Sequence, residues 1–222
     1  MKLGVLFSGG KDSCFALYLA KKYGHDIRCL ISIYSENKES FMFHTPSISS
    51  VKEQATVLQI PLIMQKTKGS KELELNDLEK AIKEAKEQYK IEGIVTGAIE
   101  SAYQSSRIQN ICNKFKLDVF NPLWQKDQIE LLNDLINNDF NIILTGIFAY
   151  PLNKSWLGRR IDKDFIRELN ILKEKFKINP AGEGGEFESF VLNCPLFKRE
   201  LKIIDSKTYG EGNSWRMELK VR

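Results

Sequence analysis

The stretch VLFSGGKDSCFALYLA at residues 5–20 constrains the fold more than any other part of the chain. An apolar run is broken by SGGKDS and then resumes with a different spacing. LGVLF (residues 3–7) reads as a short buried strand ended by glycines. Cys14, Phe15, Tyr18 and Leu19 then recur at helical spacing, with Gly24 as the stop. A strand that turns at once into a helix through two glycines builds an anion site. Glycine adopts turn conformations that other residues resist, so successive N–H groups can point inward. The helix behind it adds its free N–H groups and the positive end of its dipole. In such a turn Ser8 and Ser13 supply hydroxyls and Lys11 a mobile positive charge, while Asp12 either caps the helix or holds a magnesium ion. Two other phosphate loops are excluded. Gly4 and Gly9 have the Walker glycine spacing, but Gly10 stands where that pattern needs lysine, and GxGxxG is absent.

From this start the chain alternates strand and helix. IRCLISIY (27–34) and PLIMQ (61–65) read as strands, and FMF (41–43) as a short extra one. Between them Ile48, Val51, Ala55 and Leu58 form a helical face halted before Pro61. Leu75, Leu78, Ile82, Ala85 and Tyr89 form the clearest amphipathic helix. GIVTG (93–97) is a strand, Ile108, Ile111, Cys112 and Phe115 mark a helix, and DVFNPLW (118–124) is strand-like. A helix on Ile129, Leu132 and Ile136 leads to FNIILTGIF (140–148), read as the last strand of the same sheet. The rhythm predicts an α/β fold: a doubly wound parallel sheet over residues 1–147, then a smaller α+β region over 148–222. That region holds a helix through Phe165, Leu169, Leu172 and Phe176 and short strands near 189–193, 201–205 and 215–221.

Composition narrows the function. The net charge of +4 is scattered, so nucleic-acid binding is permitted without being demanded, and nucleic acid is not an expected partner. The four cysteines, Cys14, Cys29, Cys112 and Cys194, form no CxxC pair, which argues against a zinc or iron–sulfur centre and for free thiols in a reducing cytoplasm. No signal peptide is read at the start and no apolar run reaches the length of a membrane span.

SGGKDS matches the pyrophosphatase loop of the N-type ATP pyrophosphatases, and the chain resembles that superfamily, whose fold is a doubly wound sheet of the adenine-nucleotide hydrolase type. By that resemblance ATP is split between its α and β phosphates, and the loop cradles the leaving pyrophosphate. GIVTG then faces the first strand across the switch point of the sheet, setting Gly97 and Ala98 beside Gly9 and Gly10, with adenine near residues 31–34 and Ile33. Three further stretches narrow the likeness: MFHTP (42–46), GAIESAYQSSRIQNIC (97–112) and EGGEFESFVLNCPLF (183–197), the last preceded by WLGR (156–159). Together they resemble the diphthine–ammonia ligase family, which finishes diphthamide on elongation factor 2. Ala102 and Ser105 stand where that family often has aspartate and arginine.

The resemblance implies ATP with magnesium as cofactors, ammonia as nitrogen donor, and elongation factor 2 bearing diphthine as protein partner. Lys11, Asp12, Glu183 and Glu186 are the candidate catalytic residues. Ser8, Gly9, Gly10, Lys11, Asp12, Ser13, Ile33, Gly97 and Ala98 are the candidate nucleotide site, with Asp12 on the metal. Tyr103, Gln104, Arg107, Glu186 and Glu188 are assigned to the acceptor. If the EGGEFES segment is extended, Glu186 and Glu188 share a face, and clustered carboxylates suit a cationic substrate or an amine. A trimethylammonium group also favours aromatic faces, for which Tyr103, Phe187, Trp156 and Trp124 compete with ordinary core roles. His44 is either a nucleotide or substrate contact or a surface residue, and His25 ends a helix. Arg107, Arg159 and Arg160 are either anion ligands or surface ion pairs. A tRNA-modifying pyrophosphatase, or one acting on another carboxylate, is the rival reading. The sequence leaves homo-oligomer formation open.

Overall fold

The computed structural model describes residues 1–35, 50–67 and 71–222. The predicted FMF strand, Ile48 and the whole of MFHTP with His44 lie outside the described residues. Two compact units divide the chain. The first comprises Met1–Ser8, the stretch that begins at Asp12, and Gln59–Trp124. The second comprises Gly9–Lys11, the stretch that ends at Leu58, and Gln125–Arg222.

In the first unit β1 (Lys2–Leu6) leads through the glycine turn to α1 (Lys11–Lys22), and β2 (Asp26–Ser35) follows. The chain continues through β3 (Leu62–Thr67), α3 (Lys71–Tyr89), β4 (Gly93–Val95), α4 (Ala102–Lys114) and β5 (Asp118–Phe120); α2 (Val51–Leu58) lies between β2 and β3 in sequence. The five strands are all parallel, in the order β3-β2-β1-β4-β5. The chain therefore winds outward from β1 on one side and, after β3, outward from β4 on the other. The switch point falls between β1 and β4, as the resemblance to the ATP pyrophosphatases implies. Alternation along β2 sends Cys29, Ile31 and Ile33 into one cluster with Leu78, Ile82 and Ala85 of α3 and Ile108, Ile111 and Cys112 of α4. Leu30 and Ser32 are buried on the opposite face.

The second unit is built on an antiparallel sheet of β6 (Asn141–Ile147), β7 (Phe187–Asn193), β8 (Ile203–Glu211) and β9 (Ser214–Val221), ordered β7-β6-β9-β8. It also carries α5 (Gln128–Asn137) and α6 (Lys163–Phe176). Asp127 and Asp162 cap these helices, accepting from Ile129 N and Glu130 N and from Phe165 N respectively.

Two expectations are corrected here. FNIILTGIF does not close the parallel sheet. Its core, β6, pairs antiparallel with β7 and β9. A strand buried on both faces carries the same continuous apolar run in either kind of sheet, so the run alone could not decide. The helix α2, read as part of the doubly wound layer, groups with the second unit instead. Its Val57 joins Ile143, Phe190, Leu192, Leu219 and Val221 in one core cluster. Ser50 Oγ donates to Leu219 O at 2.7 Å, and Val57 O accepts from Lys198 N at 2.9 Å.

Candidate functional site

The glycine turn has the conformation its residues predict. Gly9 has φ of +80°, in the left-handed region that glycine adopts at least cost. α1 begins two residues later at Lys11, with Asp12 in its first turn and Lys21 and Lys22 in its last, so charge and helix dipole agree at both ends. Ser8 N donates to Ser13 Oγ at 3.3 Å, and the two serine hydroxyls share a hydrogen bond of 3.2 Å. Lys11 is only 3% exposed, which sets it apart from the solvated lysines of the surface.

Within the first unit the far side of the switch point closes on the same helix start. A Cβ on Gly97 would lie 2.8 Å from Asp12 C and 2.9 Å from both Asp12 O and Ser13 N. The residues that Gly97 meets are thus Asp12 and Ser13. Ala98 beside it donates its N–H to Thr96 Oγ1 at 3.2 Å. Thr96, 3% exposed, donates its hydroxyl to Asn121 Oδ1, and Asn121 Nδ2 reaches Ser105 Oγ at 3.4 Å. Thr96 and Asn121 thereby tie the ends of β4 and β5 to the first turn of α4, a role the sequence reading did not give them. Ile33 pairs with Gln65 in the sheet, and its side chain lies in the core.

On α4 the Arg107 guanidinium lies 3.3 Å from the Tyr103 ring centroid and donates to Tyr103 O at 3.4 Å, while its Nε is buried with no hydrogen-bond partner. Gln104 falls between them in α4, and its side chain lies outside the described residues. Tyr103 and Trp124 are 39% and 37% exposed, with one face of the Tyr103 ring covered by Arg107. His25 packs edge-on against Phe120 at 4.9 Å at the end of α1, in keeping with a helix-end role.

In the second unit the EGGEFES segment is a loop organised by Asn179. Asn179 Oδ1 accepts from Ala181 N and Glu183 N at 3.1 Å each, and Asn179 N donates to Glu186 Oε1 at 2.9 Å. Gly182 and Gly185 have φ of +75° and +84°, so the turn depends on glycine at both. Glu186 and Glu188 do not share an extended face. β7 begins at Phe187, and the Glu186 carboxylate folds back into the loop because it bonds the Asn179 N–H. Its second oxygen, Oε2, is buried with no hydrogen-bond partner. Glu188 lies in β7 opposite Gly146.

Trp156 and Phe187 are buried, joined edge-on through Phe165 at 5.6 and 6.0 Å, which makes them core rather than an open aromatic cage. One face of Trp156 carries the Arg159 guanidinium at 4.4 Å, and that guanidinium also holds Glu168 through two hydrogen bonds of 2.6 and 2.7 Å. The Glu168 contact pushes Arg159 above its ordinary range and holds the Glu168 carboxyl below its own. Arg159 is therefore an ion-pair residue, and Arg160 is exposed.

The donor set at residues 8–13 fits a phosphate chain: one buried cation, two hydroxyls, and the N-terminus of a helix of 12 residues. Among the described residues no three of His, Cys, Asp and Glu gather to hold a metal. Asp12 stands as a single carboxylate, the arrangement in which magnesium is shared with nucleotide phosphates rather than caged by protein.

Residues 1–118 match the family model described as the diphthamide synthase N-terminal domain, and residues 127–220 the one described as the diphthamide synthase C-terminal domain. A Danio rerio protein named diphthine–ammonia ligase is 34% identical over 224 residues, covering 93% of this chain and 87% of that protein. The Homo sapiens protein of the same name is 31% identical over 227 residues, with 93% and 84% coverage. A Schizosaccharomyces pombe protein of that name is 34% identical over 238 residues, and there the chain spans 39% of the relative's length. The chain belongs to the diphthamide synthase family.

Proposed function

We propose that this protein is a diphthine–ammonia ligase, an enzyme that forms a carbon–nitrogen bond at the expense of ATP. The observation that carries the reading is the glycine turn at the head of α1, with Lys11 buried and the Ser8 and Ser13 hydroxyls hydrogen-bonded to each other, in a chain matched along both halves by the diphthamide synthase models. The named relatives favour this over the tRNA-modifying reading.

The acceptor is the diphthine residue of elongation factor 2. Its carboxylate oxygen attacks the α-phosphorus of ATP, the bond to the bridging oxygen breaks, and pyrophosphate leaves into the turn of residues 8–13. The nitrogen of ammonia then attacks the carbonyl carbon of the acyl-adenylate. AMP departs, and a proton is lost from nitrogen. Lys11 and the α1 N-terminus stabilise the charge that grows on the leaving pyrophosphate. Asp12 would hold magnesium, which neutralises phosphate charge when bound. Ser8, Gly9, Gly10, Ser13, Gly97, Ala98 and the Ile33 backbone line the nucleotide site. Tyr103, Gln104, Arg107 and Glu188 serve the acceptor. Glu183 and Glu186 serve the amine step, for which the buried second oxygen of Glu186 is a fitting acceptor of an N–H.

The reaction takes place in the cytoplasm, a setting that suits four buried cysteines held in no disulfide. No helix of the described residues is long and apolar enough to cross a membrane. The test is incubation with ATP, ammonium and elongation factor 2 bearing diphthine, followed by mass spectrometry of the factor and quantitation of AMP and pyrophosphate. Acid-to-amide conversion matched by equal AMP is expected. Conversion of ATP to ADP, or no change in the factor, overturns the proposal.

A further inference from the structure

The middle of the glycine turn is held from outside by one side chain that no motif contains. Gln54 sits on α2 and is fully buried, at 0% exposure. Its Nε2 donates to Gly9 O at 2.9 Å and to Val191 O at 2.8 Å, so both amide protons are used. Gly9 O receives a second hydrogen bond from Val191 N at 3.1 Å. Lys11 N donates to Ser189 Oγ at 3.1 Å, and Lys11 Nζ lies 5.7 Å from the Phe187 ring centroid. The segment Gly9–Lys11 is thus laced to β7, with Gln54 as the bridge.

We infer that Gln54 is a positioning residue for pyrophosphate departure, acting through the Gly9–Gly10 peptide. A peptide unit is planar and trans, so its C=O and N–H point in opposite directions. Two donors fix Gly9 O toward β7, and this fixes the Gly10 N–H to the opposite side, where a phosphate cradle needs its donors. The same side chain also enforces the glycine. A Cβ at Gly9 would fall 2.2 Å from Gln54 Oε1, an oxygen that is buried and has no hydrogen-bond partner of its own. A glutamine buried for packing alone would be an expensive choice. An apolar residue of the same size would fill the space without leaving a buried carbonyl unpartnered. The benefit is the aim of a loop peptide. An N–H whose hydrogen bond strengthens as charge grows on the separating pyrophosphate lowers the barrier by more than it tightens ATP in the ground state.

This inference rests on the ligase reading for its rate measurement, so the test has a second arm that does not. Gln54→Met keeps length and volume and removes both donors. In the amidation assay kcat is expected to fall roughly tenfold or more, with the KM for ATP moving less than about threefold, since a misaimed donor costs transition-state rather than ground-state contact. Hydrogen exchange by mass spectrometry on the variant is expected to show faster exchange in peptides spanning residues 8–13, with peptides from β4 and β5 unchanged. Should Gln54→Met fail to fold, Ser189→Ala removes the tether at Lys11 N and carries the same two expectations. Unchanged kcat, or a KM rise that accounts for the whole loss, overturns the positioning role. Unchanged exchange at residues 8–13 overturns it even if the parent protein proves not to amidate elongation factor 2. Absence of amidation by the parent alone refutes the ligase reading and leaves the exchange arm to decide on Gln54.

Discussion

Gly97→Ala is the sharpest perturbation of the nucleotide turn, because the added atom meets backbone rather than a side chain that could swing away. The new Cβ would lie 2.8 Å from Asp12 C, whereas ordinary contact begins at 3.4 Å, so β4 and the start of α1 must part by about 0.6 Å. Misplacing a reacting group by 1 Å costs on the order of a hundredfold, and the rate of AMP formation should therefore drop about tenfold. Overpacking of this kind costs about 1–3 kcal/mol, which in a chain of this size lowers the melting temperature by a few degrees and leaves the protein folded at 25 °C. Gly24→Ala is the matched control at the other end of α1. Its φ of +81° makes alanine strained by about 1 kcal/mol, yet a Cβ there meets nothing within 4 Å. The two variants should lose comparable stability, and only Gly97→Ala should lose turnover. AMP release measured with saturating ATP, ammonium and diphthine-bearing elongation factor 2, beside a thermal melt, decides it. If Gly97→Ala turns over within twofold of the parent, or if Gly24→Ala loses as much, contact between Gly97 and the helix start does not govern the reaction.

Lys11→Met, which keeps the buried volume, should reduce AMP formation by about a hundredfold or more while circular dichroism stays that of the parent; a loss of only a few-fold removes Lys11 from the transition state. Glu186→Gln keeps an oxygen for the Asn179 N–H, so the loop should persist and calorimetric ATP affinity should be unchanged while amidation is lost; collapse of ATP binding would instead put this carboxylate at a metal–nucleotide site. Burial pushes the thiols of Cys29 and Cys112 up from 9.0 to about 12. Between those values the folded state holds the protons that the unfolded state releases, so stability falls as pH rises above 9, by about 1.4 kcal/mol per pH unit for each thiol. Urea midpoints from pH 8 to 10.5 should fall less steeply in Cys29→Ala/Cys112→Ala than in the parent, and equal slopes would contradict the shift.

Several parts of the fold were legible because a local rule decides them. The glycine turn needs only a short apolar run, residues that tolerate φ above zero, and a helical spacing behind them, all within residues 3–20. α3 shows itself by spacings of three and four alone. The pairing of β1 with β4 came from the resemblance to the ATP pyrophosphatases, since alternation of strands and helices implies a doubly wound sheet without saying where it reverses. β6 and α2 were recognised as elements yet placed in the wrong layer. Whether β6 is flanked by parallel or antiparallel neighbours is set by partners that lie about 40–50 residues downstream in β7 and about 70 downstream in β9, and nothing in the run itself records which.

The candidate site divides along the same line, between chemistry carried by a motif and chemistry carried by what holds the motif still. Ser8, Lys11 and Ser13 could be named from their own letters, because each bears a group that a phosphate needs. Gln54, Thr96 and Asn121 could not, since an amide or hydroxyl acts here only through a backbone group or side chain that the sequence does not place beside it. Gln54 did leave one trace. It stands one position from Ala55 and three from Val51 on the buried face of α2, where a polar side chain must either find partners or cost stability. A polar residue on the apolar stripe of a short helix is thus a positive signal, and it asks which backbone groups it satisfies. In this protein those groups are Gly9 O and Val191 O. The strand that follows the EGGE loop therefore also supports the middle of the phosphate turn. A change in that loop that shifted β7 would reach Gly9–Lys11 through hydrogen bonds of the second unit alone.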